Sequence, residues 1–282
     1  MLNRTRKLDW IGKFLFVLFI ALFTSFLLIT CYKAPVTGRS QLILISEEEA
    51  SQMGTAAFQE VLSKEKVSNN EIYNEAVTRV AGRITGVSVT PRYNWDYKVF
   101  KDDKTINAFA LPGGKIGVYS GIIPVAMNDA GLATVLGHEV AHVAAHHGAE
   151  RISAGILAQL GAVALGVALS NRDPLVVNAI MQAYGIGVTV GGILPFSRTQ
   201  ESEADRIGLI YMAKAGYHPG EAIDFWNRME LATQNKPRPP EFLATHPGYG
   251  TRVSNLKKWL PEAMRYYESS DRATNLLISS AH

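Results

Sequence analysis

The segment GHEVAHVAAHH, at residues 137–147, contains four of the seven histidines in the chain. His138 and His142 are four residues apart, so on an α-helix both rings lie on one face, one turn apart, and can bind a common ion. The Ala, Leu and Val residues around them indicate a buried face, where imidazoles need polar partners. Zinc suits two neutral imidazoles, a carboxylate and an open fourth position. The spacing therefore predicts a zinc site with Glu139 beside it.

Two further histidines follow directly, and the sequence predicts a supporting or surface role for them. One zinc-protease pattern, H-E-x-x-H-x-x-G-x-x-H, places a glycine at position 145 and a third histidine at position 148. This chain has Ala145 and Gly148 there, so that pattern fails. His146 and His147 lie farther along the predicted helix, and three rings along a straight helix cannot converge on one ion.

The remaining ligand is predicted within ESEAD, residues 201–205. Glu201 and Asp205 are four residues apart on a predicted helix, so one carboxylate can bind the metal while the other accepts the N–H of a ligand histidine. Spacing alone permits Glu203 in place of Glu201. Without the upstream histidine pair, a solvated acidic helix start would be the simpler interpretation.

The composition narrows the classes of function. The chain has 282 residues, a formal net charge of +3 and no run of Lys and Arg, which argues against a nucleic-acid partner. Its single cysteine, Cys31, excludes an intrachain disulfide and a cysteine-based zinc site. Any metal must therefore bind to histidine and carboxylate side chains.

The N-terminus is typical of a targeting segment. A basic start, MLNRTRK, precedes an uncharged apolar stretch at residues 14–30 that ends immediately before Cys31. Its end, LITC, resembles a bacterial lipobox, so we expect residues 1–30 to be a lipoprotein signal peptide and Cys31 to carry lipid. The alternative is an uncleaved membrane anchor. Because no Asp follows the cysteine, bacterial sorting by analogy predicts a cell-envelope protein that is lipid-anchored on the periplasmic face of the outer membrane.

Helices and short strands are predicted around the metal motif. Ser46 and Glu49 form a capping box that opens a helix to about Leu62, and NNEIYNEAVTRVAGRI predicts a second helix. WDYKVF predicts a strand, and NAFALPGGKIGVYSG predicts two more that are joined around PGG. From Asn128 onward the pattern is almost wholly helical and ends with the helix TRVSNLKKWL.

Two unusually apolar stretches separate the histidines from the acidic motif. They are GILAQLGAVALGVALS and LVVNAIMQAYGIGVTVGGILPFS. The first is shorter than 18 residues, and the second is interrupted by Asn178, Gln182, several glycines and Pro195. We therefore expect a buried or interfacial helical hairpin rather than a bilayer-spanning pair.

Together these motifs resemble the CaaX-prenyl-protease type of zinc metallopeptidase. The resemblance rests on H-E-x-x-H followed by SRTQESEAD, with NAFALPGGKIGVYSG and THPGYGTR, over roughly residues 35–262. PVTGR, at residues 35–39, is similar to a motif of the bacterial lipoprotein branch. The resemblance implies an α+β, mostly helical zincin-type metallopeptidase fold with a small mixed sheet beside the active-site helix. We expect four parts: a signal peptide at 1–30, a lipidated tether at 31–45, the metallopeptidase domain at 46–265 and a C-terminal tail at 266–282.

The resemblance also implies a role for each site residue. One zinc ion (Zn2+) per chain is held by His138, His142 and Glu201, with Asp205 as a supporting carboxylate. Zinc lowers the pKa of its bound water towards about 7, so Glu139 can act as the base and pass the proton to the leaving amine. An extended peptide is the expected substrate, paired with the strand in NAFALPGG. The expected partners are unfolded or misassembled envelope proteins and, through the lipid anchor, the membrane.

The loop THPGYGTR lies near zinc by the same resemblance. His246 has two open roles: an N–H donor that stabilises the oxyanion, or a fourth zinc ligand that keeps the enzyme latent. We favour the second role, in which His246 is a fourth zinc ligand that keeps the enzyme latent. Arg252 is expected to anchor this loop, or to bind a carbonyl or carboxylate of the substrate.

A different class of function remains open. The apolar stretches and C-terminal helices would allow an envelope assembly factor or chaperone to hold unfolded proteins over a latent or structural zinc site. Catalysis is favoured because a structural site has no use for Glu139. An integral prenyl protease is disfavoured, since the chain lacks enough long apolar spans.

Overall fold

The computed structural model of the protein describes residues 31–90, 93–188, 194–233 and 249–278. The predicted signal peptide at 1–30 and the loop that contains His246 lie outside these residues. The described part is mostly helical with a small mixed sheet, as the sequence predicted.

The chain enters the domain through a short β-hairpin in place of an extended tether. Strand β1, Cys31–Lys33, pairs antiparallel with β2, Ser40–Leu42. The turn between them is PVTGR, in which Val36 and Gly38 have φ angles of 65° and 68°. We call residues 31–42 the N-terminal hairpin. It folds back onto the domain and does not simply connect it to the preceding segment.

Two helices follow, and both begin where the sequence predicted. Helix α1, Glu47–Lys64, starts with the capping box in which Ser46 and Glu49 bond each other's backbone N–H. The side chain of Asn70 caps α2, Glu71–Gly86, by accepting a hydrogen bond from a backbone N–H.

The sheet has three strands in the order β3–β5–β4. They are β3, Asp96–Phe100, β4, Ala108–Leu111, and β5, Lys115–Tyr119. Strand β5 pairs parallel with β3 and antiparallel with β4, so the sheet is mixed and β4 lies at one edge. The tight β4–β5 turn places Gly113 and Gly114 at φ angles of 79° and 81°, which glycine adopts without a steric cost.

The core is built around α4, Asp129–Ala144, which follows the short helix α3, Ile123–Ala126. Every residue of α4 is buried, so this helix is surrounded by protein on all sides. Asn128 caps it by accepting a hydrogen bond from the N–H of Gly131. The carbonyl of Leu276, near the end of the described chain, accepts the N–H of Asp129 at 2.9 Å.

Helix α7, Leu194–Lys214, packs closely against α4. The two backbones meet at Gly137 and Gly208. A methyl group on Gly208 would lie 2.8 Å from the backbone carbon of Gly137 and 2.8 Å from the backbone nitrogen of His138. These distances are too short for any side chain, so the helices approach this closely only because both positions are glycine.

The first apolar stretch and the described start of the second form a helical hairpin, but the hairpin is not buried. They are α5, His147–Ala168, and α6, Pro174–Val188. After Ser153, none of the described side chains in either helix is buried. Leu160, Val167 and Leu175 are 60, 69 and 80% exposed. The buried alternative was wrong because these helices pack on each other and make few contacts with the core. We call residues 154–188 the apolar hairpin.

Helices α8, Glu221–Thr233, and α9, Tyr249–Glu268, complete the described domain. Helix α9 packs along α7 and runs past the segment TRVSNLKKWL that predicted it. The division of the chain into four parts stays a prediction.

The glycine contact predicts a sharp loss of stability on substitution. Gly208→Ala should lower the free energy of unfolding by about 1–3 kcal/mol, because the added methyl must displace the backbone of α4. Urea unfolding followed by circular dichroism measures this. Gly82→Ala is the matched control, since a methyl there meets nothing within 4 Å in helix α2 and should stabilise the protein by roughly 0.5–1 kcal/mol. Equal stability of Gly208→Ala and the parent would contradict the tight crossing.

Candidate metal centre

Three side chains from α4 and α7 converge in the core. His138 and His142 lie one turn apart on α4, and Glu201 faces them from α7. The two Nε2 atoms are 3.1 Å apart. The Glu201 carboxylate oxygens lie 3.2 Å from Nε2 of His138 and 3.3 Å from Nε2 of His142. All three residues are buried.

This donor set fits a small divalent cation. Tetrahedral zinc has ligand bonds of about 2.0–2.2 Å, which separate neighbouring donors by roughly 3.3 Å. The donor atoms of His138, His142 and Glu201 lie within 4.8 Å of one another. The contacts between individual pairs, at 3.1, 3.2 and 3.3 Å, are close to the separation expected around zinc. Two imidazoles and one carboxylate are also the chemistry that zinc prefers.

Asp205 and Arg252 support His138 from behind. Oδ1 of Asp205 lies 2.9 Å from Nδ1 of His138, so Nδ1–H donates to the carboxylate and Nε2 keeps its lone pair for a ligand. Nε of Arg252 donates to Asp205 at 2.5 Å, and Nη2 donates to Glu201 at 3.0 Å. The guanidinium also lies 4.2 Å from the ring centre of Trp226. Arg252 is buried and contacts both site carboxylates, and its expected roles towards the loop or the substrate stay predictions.

The pKa values of His138 and His142 are shifted in opposite directions. Burial lowers the pKa of both rings. For His138 the hydrogen bonds to Asp205 and Glu201 outweigh burial and raise the pKa to about 9, whereas burial keeps the pKa of His142 well below its usual value. The carboxylates thus create a negative environment that a proton or a cation must balance.

His142 has its own buried support, on the side away from His138. Its Nδ1 lies 2.8 Å from Nδ1 of His147, whose Nε2 lies 3.0 Å from Oε2 of Glu203. Helix α4 ends at Ala144, and His146 takes a left-handed conformation with φ at 51°. This break returns the chain so that His147 points at His142. The structure therefore places Glu201 beside the ring pair and Glu203 behind it.

A cleft opens beside His142. Its walls come from the N-terminal segment, the edge strand β4 and the α4–α5 junction, and Ile43, Tyr93, Leu111 and Val143 are among its lining residues. Glu139 is buried on α4, next to His138. Of the candidate metal ligands, His142 lines this cleft, together with Ala110 and Leu111 of β4.

Sequence reasoning missed the link from His142 to Glu203 through His147. The five-residue step from His142 to His147 and the second glutamate in ESEAD were visible signals. Their connection depends on the helix break at His146, which no local pattern predicted. His246 lies outside the described residues, so its two proposed roles rest on sequence alone.

Two fungal proteins are similar to most of this chain. It is 36% identical over 240 residues to mitochondrial metalloendopeptidase OMA1 of Schizosaccharomyces pombe, covering 84% of this chain and 68% of the relative. The Saccharomyces cerevisiae OMA1 protein is also 36% identical, with 85% and 72% covered. Both are mitochondrial by name. The predicted location on the periplasmic face of an outer membrane is therefore wrong, and lipid attachment at Cys31 stays a prediction.

A bacterial protein and a family match complete the comparison. The putative beta-barrel assembly-enhancing protease of Vibrio cholerae is 28% identical over 212 residues, which are 73% of this chain but only 43% of that protein. The bacterial lipoprotein branch that the sequence suggested stays a prediction. Residues 68–260 match Peptidase family M48, and this range contains both halves of the candidate metal centre. The chain belongs to peptidase family M48, and it is a metalloendopeptidase.

Proposed function

We propose that this protein is a zinc-dependent endopeptidase that cleaves extended segments of unfolded or misassembled proteins at a membrane surface. The observation that carries the proposal is the convergence of two histidines and one glutamate from α4 and α7. His138, His142 and Glu201 would hold the zinc ion. Asp205 and Arg252 would orient His138 and Glu201 towards it.

The chemistry of the site follows from these residues. Bound zinc would act as a Lewis acid and lower the pKa of a water molecule towards about 7. Glu139 takes a proton from the attacking water, which adds its oxygen to the carbonyl carbon of the peptide bond. Glu139 then gives the proton to the leaving nitrogen, the C–N bond breaks, and a carboxylic acid and an amine result.

The edge strand β4 favours an extended substrate. A peptide that pairs with the free side of an edge strand gains backbone hydrogen bonds without regard to sequence. The cleft beside it is lined mainly by apolar side chains, which would accept apolar residues of the substrate. Folded proteins rarely present such segments, whereas unfolded or misassembled ones do.

The apolar hairpin supports action at a membrane. Among the described residues, α5 is long and apolar enough to cross a bilayer. In the sequence, 20 uncharged residues separate Arg151 from Arg172, and 24 separate Asp173 from Arg198. A helix that crosses a hydrocarbon core of ~30 Å needs about 20 such residues, with charged residues at its ends.

The position of the N-terminal hairpin also supports action at a membrane. Its first residue follows the apolar stretch at 14–30 directly. The ring of Tyr32 lies 5.8 Å from that of His146, and the N–H of Leu44 donates to Ser153 at 2.8 Å. The apolar N-terminal sequence therefore joins the domain beside the base of the apolar hairpin. The names of the fungal relatives favour a mitochondrial membrane as the site of action.

An assembly factor that holds proteins without cutting them is the second candidate. The name of the Vibrio cholerae relative, which includes both assembly and protease, favours considering it. The two functions differ in their need for Glu139, because holding a protein requires no base.

Metal content tests the ligand assignment. The purified protein should contain about one zinc ion per chain, as measured by inductively coupled plasma mass spectrometry. His142→Ala and Glu201→Ala should each lose most of this zinc. His218→Ala is the control, since His218 is exposed and contacts the N–H of Gly220 and the ring of Tyr267, neither of which belongs to the candidate metal centre. Full zinc retention in both ligand variants would show that the metal binds elsewhere.

Glu139→Gln separates catalysis from metal binding. It removes the base but keeps the size of the side chain, so cleavage of unfolded casein should fall by about 100-fold or more while zinc is retained. Glu60→Gln changes an exposed ion pair and should cleave normally. Retained cleavage in Glu139→Gln would remove Glu139 from the mechanism, and an uncleaved substrate that still binds to the parent protein would favour the assembly factor.

Fluorescence quenching tests whether the apolar hairpin enters lipid. In vesicles of brominated phosphatidylcholine, the added emission of Leu160→Trp should be strongly quenched. Val89→Trp is a matched control, because both parent side chains are 60% exposed but Val89 lies outside the hairpin. Equal quenching of the two added tryptophans would show that the apolar hairpin lies in water or against protein.

A further inference from the structure

The N-terminal hairpin contacts two buried glutamates, Glu150 and Glu203, that are far away in the sequence. Arg39 donates from Nη1 and Nη2 to the two oxygens of Glu150, at 2.6 and 2.7 Å, and from Nε to Glu203 at 2.8 Å. Thr37 donates its hydroxyl to the other oxygen of Glu203. The PVTGR turn therefore binds carboxylates that lie more than 100 residues away in the sequence.

These contacts occupy both oxygens of Glu203. Thr37 donates to one oxygen, and Arg39 donates to the other, which also lies 3.0 Å from Nε2 of His147. The Glu203 carboxylate therefore acts as a hydrogen-bond acceptor towards all three neighbours. Gln41 and Gln200 bind Glu150 in a similar way, each at 2.8 Å.

A fixed acceptor at Glu203 determines how the next two rings are protonated. Nε2–H of neutral His147 donates to Glu203, which leaves Nδ1 of His147 as an acceptor. Nδ1–H of His142 then donates to that atom, and Nε2 of His142 keeps its lone pair. That lone pair points towards His138 and Glu201, where a metal ligand is needed. Asp205 performs the same task for His138.

We propose that Thr37 and Arg39 are positioning residues for the metal centre, which act through Glu203 and His147 to hold His142 in the tautomer and orientation that bind metal. This inference rests on the proposed metal site. The N-terminal hairpin then contributes to the geometry of the metal centre, whereas a tether would only connect the domain to the segment before it.

Metal affinity in the full-length protein tests the proposal. Arg39→Gln and Glu203→Gln should each weaken zinc binding by about 10 to 100-fold in competition with a chelator. In Glu203→Gln the amide can donate to His147, so the ring protons reverse and Nε2 of His142 becomes protonated. The absorption spectrum of the cobalt-substituted protein should change in both variants, since it reports the ligand geometry directly.

Thr37 provides a milder matched pair, because a Thr37 variant keeps the Arg39 ion pairs and the fold. Thr37→Val removes the hydroxyl and should weaken zinc binding, whereas Thr37→Ser keeps it and should restore the parent affinity. Lys33→Gln is the control on the same hairpin, since Lys33 is exposed and its ammonium group donates to Ser40 on the neighbouring strand.

The outcomes separate this inference from the proposed function. If the parent protein binds no zinc at His142, the metal site itself is wrong. If the parent binds zinc and loses it in His142→Ala, but Arg39→Gln, Glu203→Gln and Thr37→Val all keep the parent affinity and cobalt spectrum, the positioning role is overturned alone. Loss of affinity in Thr37→Val with an unchanged unfolding midpoint supports it.

Discussion

The contact between Gly137 and Gly208 is the constraint on which the metal centre depends. It allows the backbones of α4 and α7 to meet where no side chain would fit. His138 follows the contact on one helix, and Asp205 and Glu201 precede it by about one and two turns on the other. Each carboxylate therefore lies within hydrogen-bond distance of an imidazole. A separation wider by one methyl group would move the ligands of α7 away from those of α4.

Each histidine of the pair is linked by hydrogen bonds to a different end of the described chain. Arg252, in the C-terminal helix α9, binds Asp205, which binds His138. In the N-terminal hairpin, Arg39 binds Glu203, which reaches His142 through His147. The physical requirement is the same on both sides. An imidazole that binds metal almost always donates its other ring N–H to a partner, which determines its tautomer and orientation.

The cleft, the N-terminal hairpin and the base of the apolar hairpin share one region of the molecule. Tyr32, Ile43, His142 and Arg151 all line the cleft. If the apolar hairpin enters a bilayer, the cleft opens near its surface, where unfolded segments of membrane-associated proteins are present. The exposed apolar residues, costly in water, would then be in the solvent that suits them.

Local patterns in the sequence determined the parts of the site that depend on a single element. The spacing of His138 and His142 follows from one helical turn, and the capping box of Ser46 and Glu49 satisfies backbone groups that the helix start leaves open. The strands around PGG and the mostly helical fold were predicted for the same reason. Each signal lies within a few residues of its effect.

Only the tertiary structure decided which elements meet. Glu201 and Glu203 are equivalent by spacing, and the crossing of α4 and α7 places one beside the histidines and the other behind them. PVTGR was interpreted as a tether because its partners, Glu150 and Glu203, lie far away in the sequence. The apolar stretches were expected to form a buried or interfacial hairpin, since hydropathy measures affinity for an apolar environment and does not distinguish a protein core from lipid. Contacts between distant residues depend on how the helices pack, and that information is spread over the whole chain.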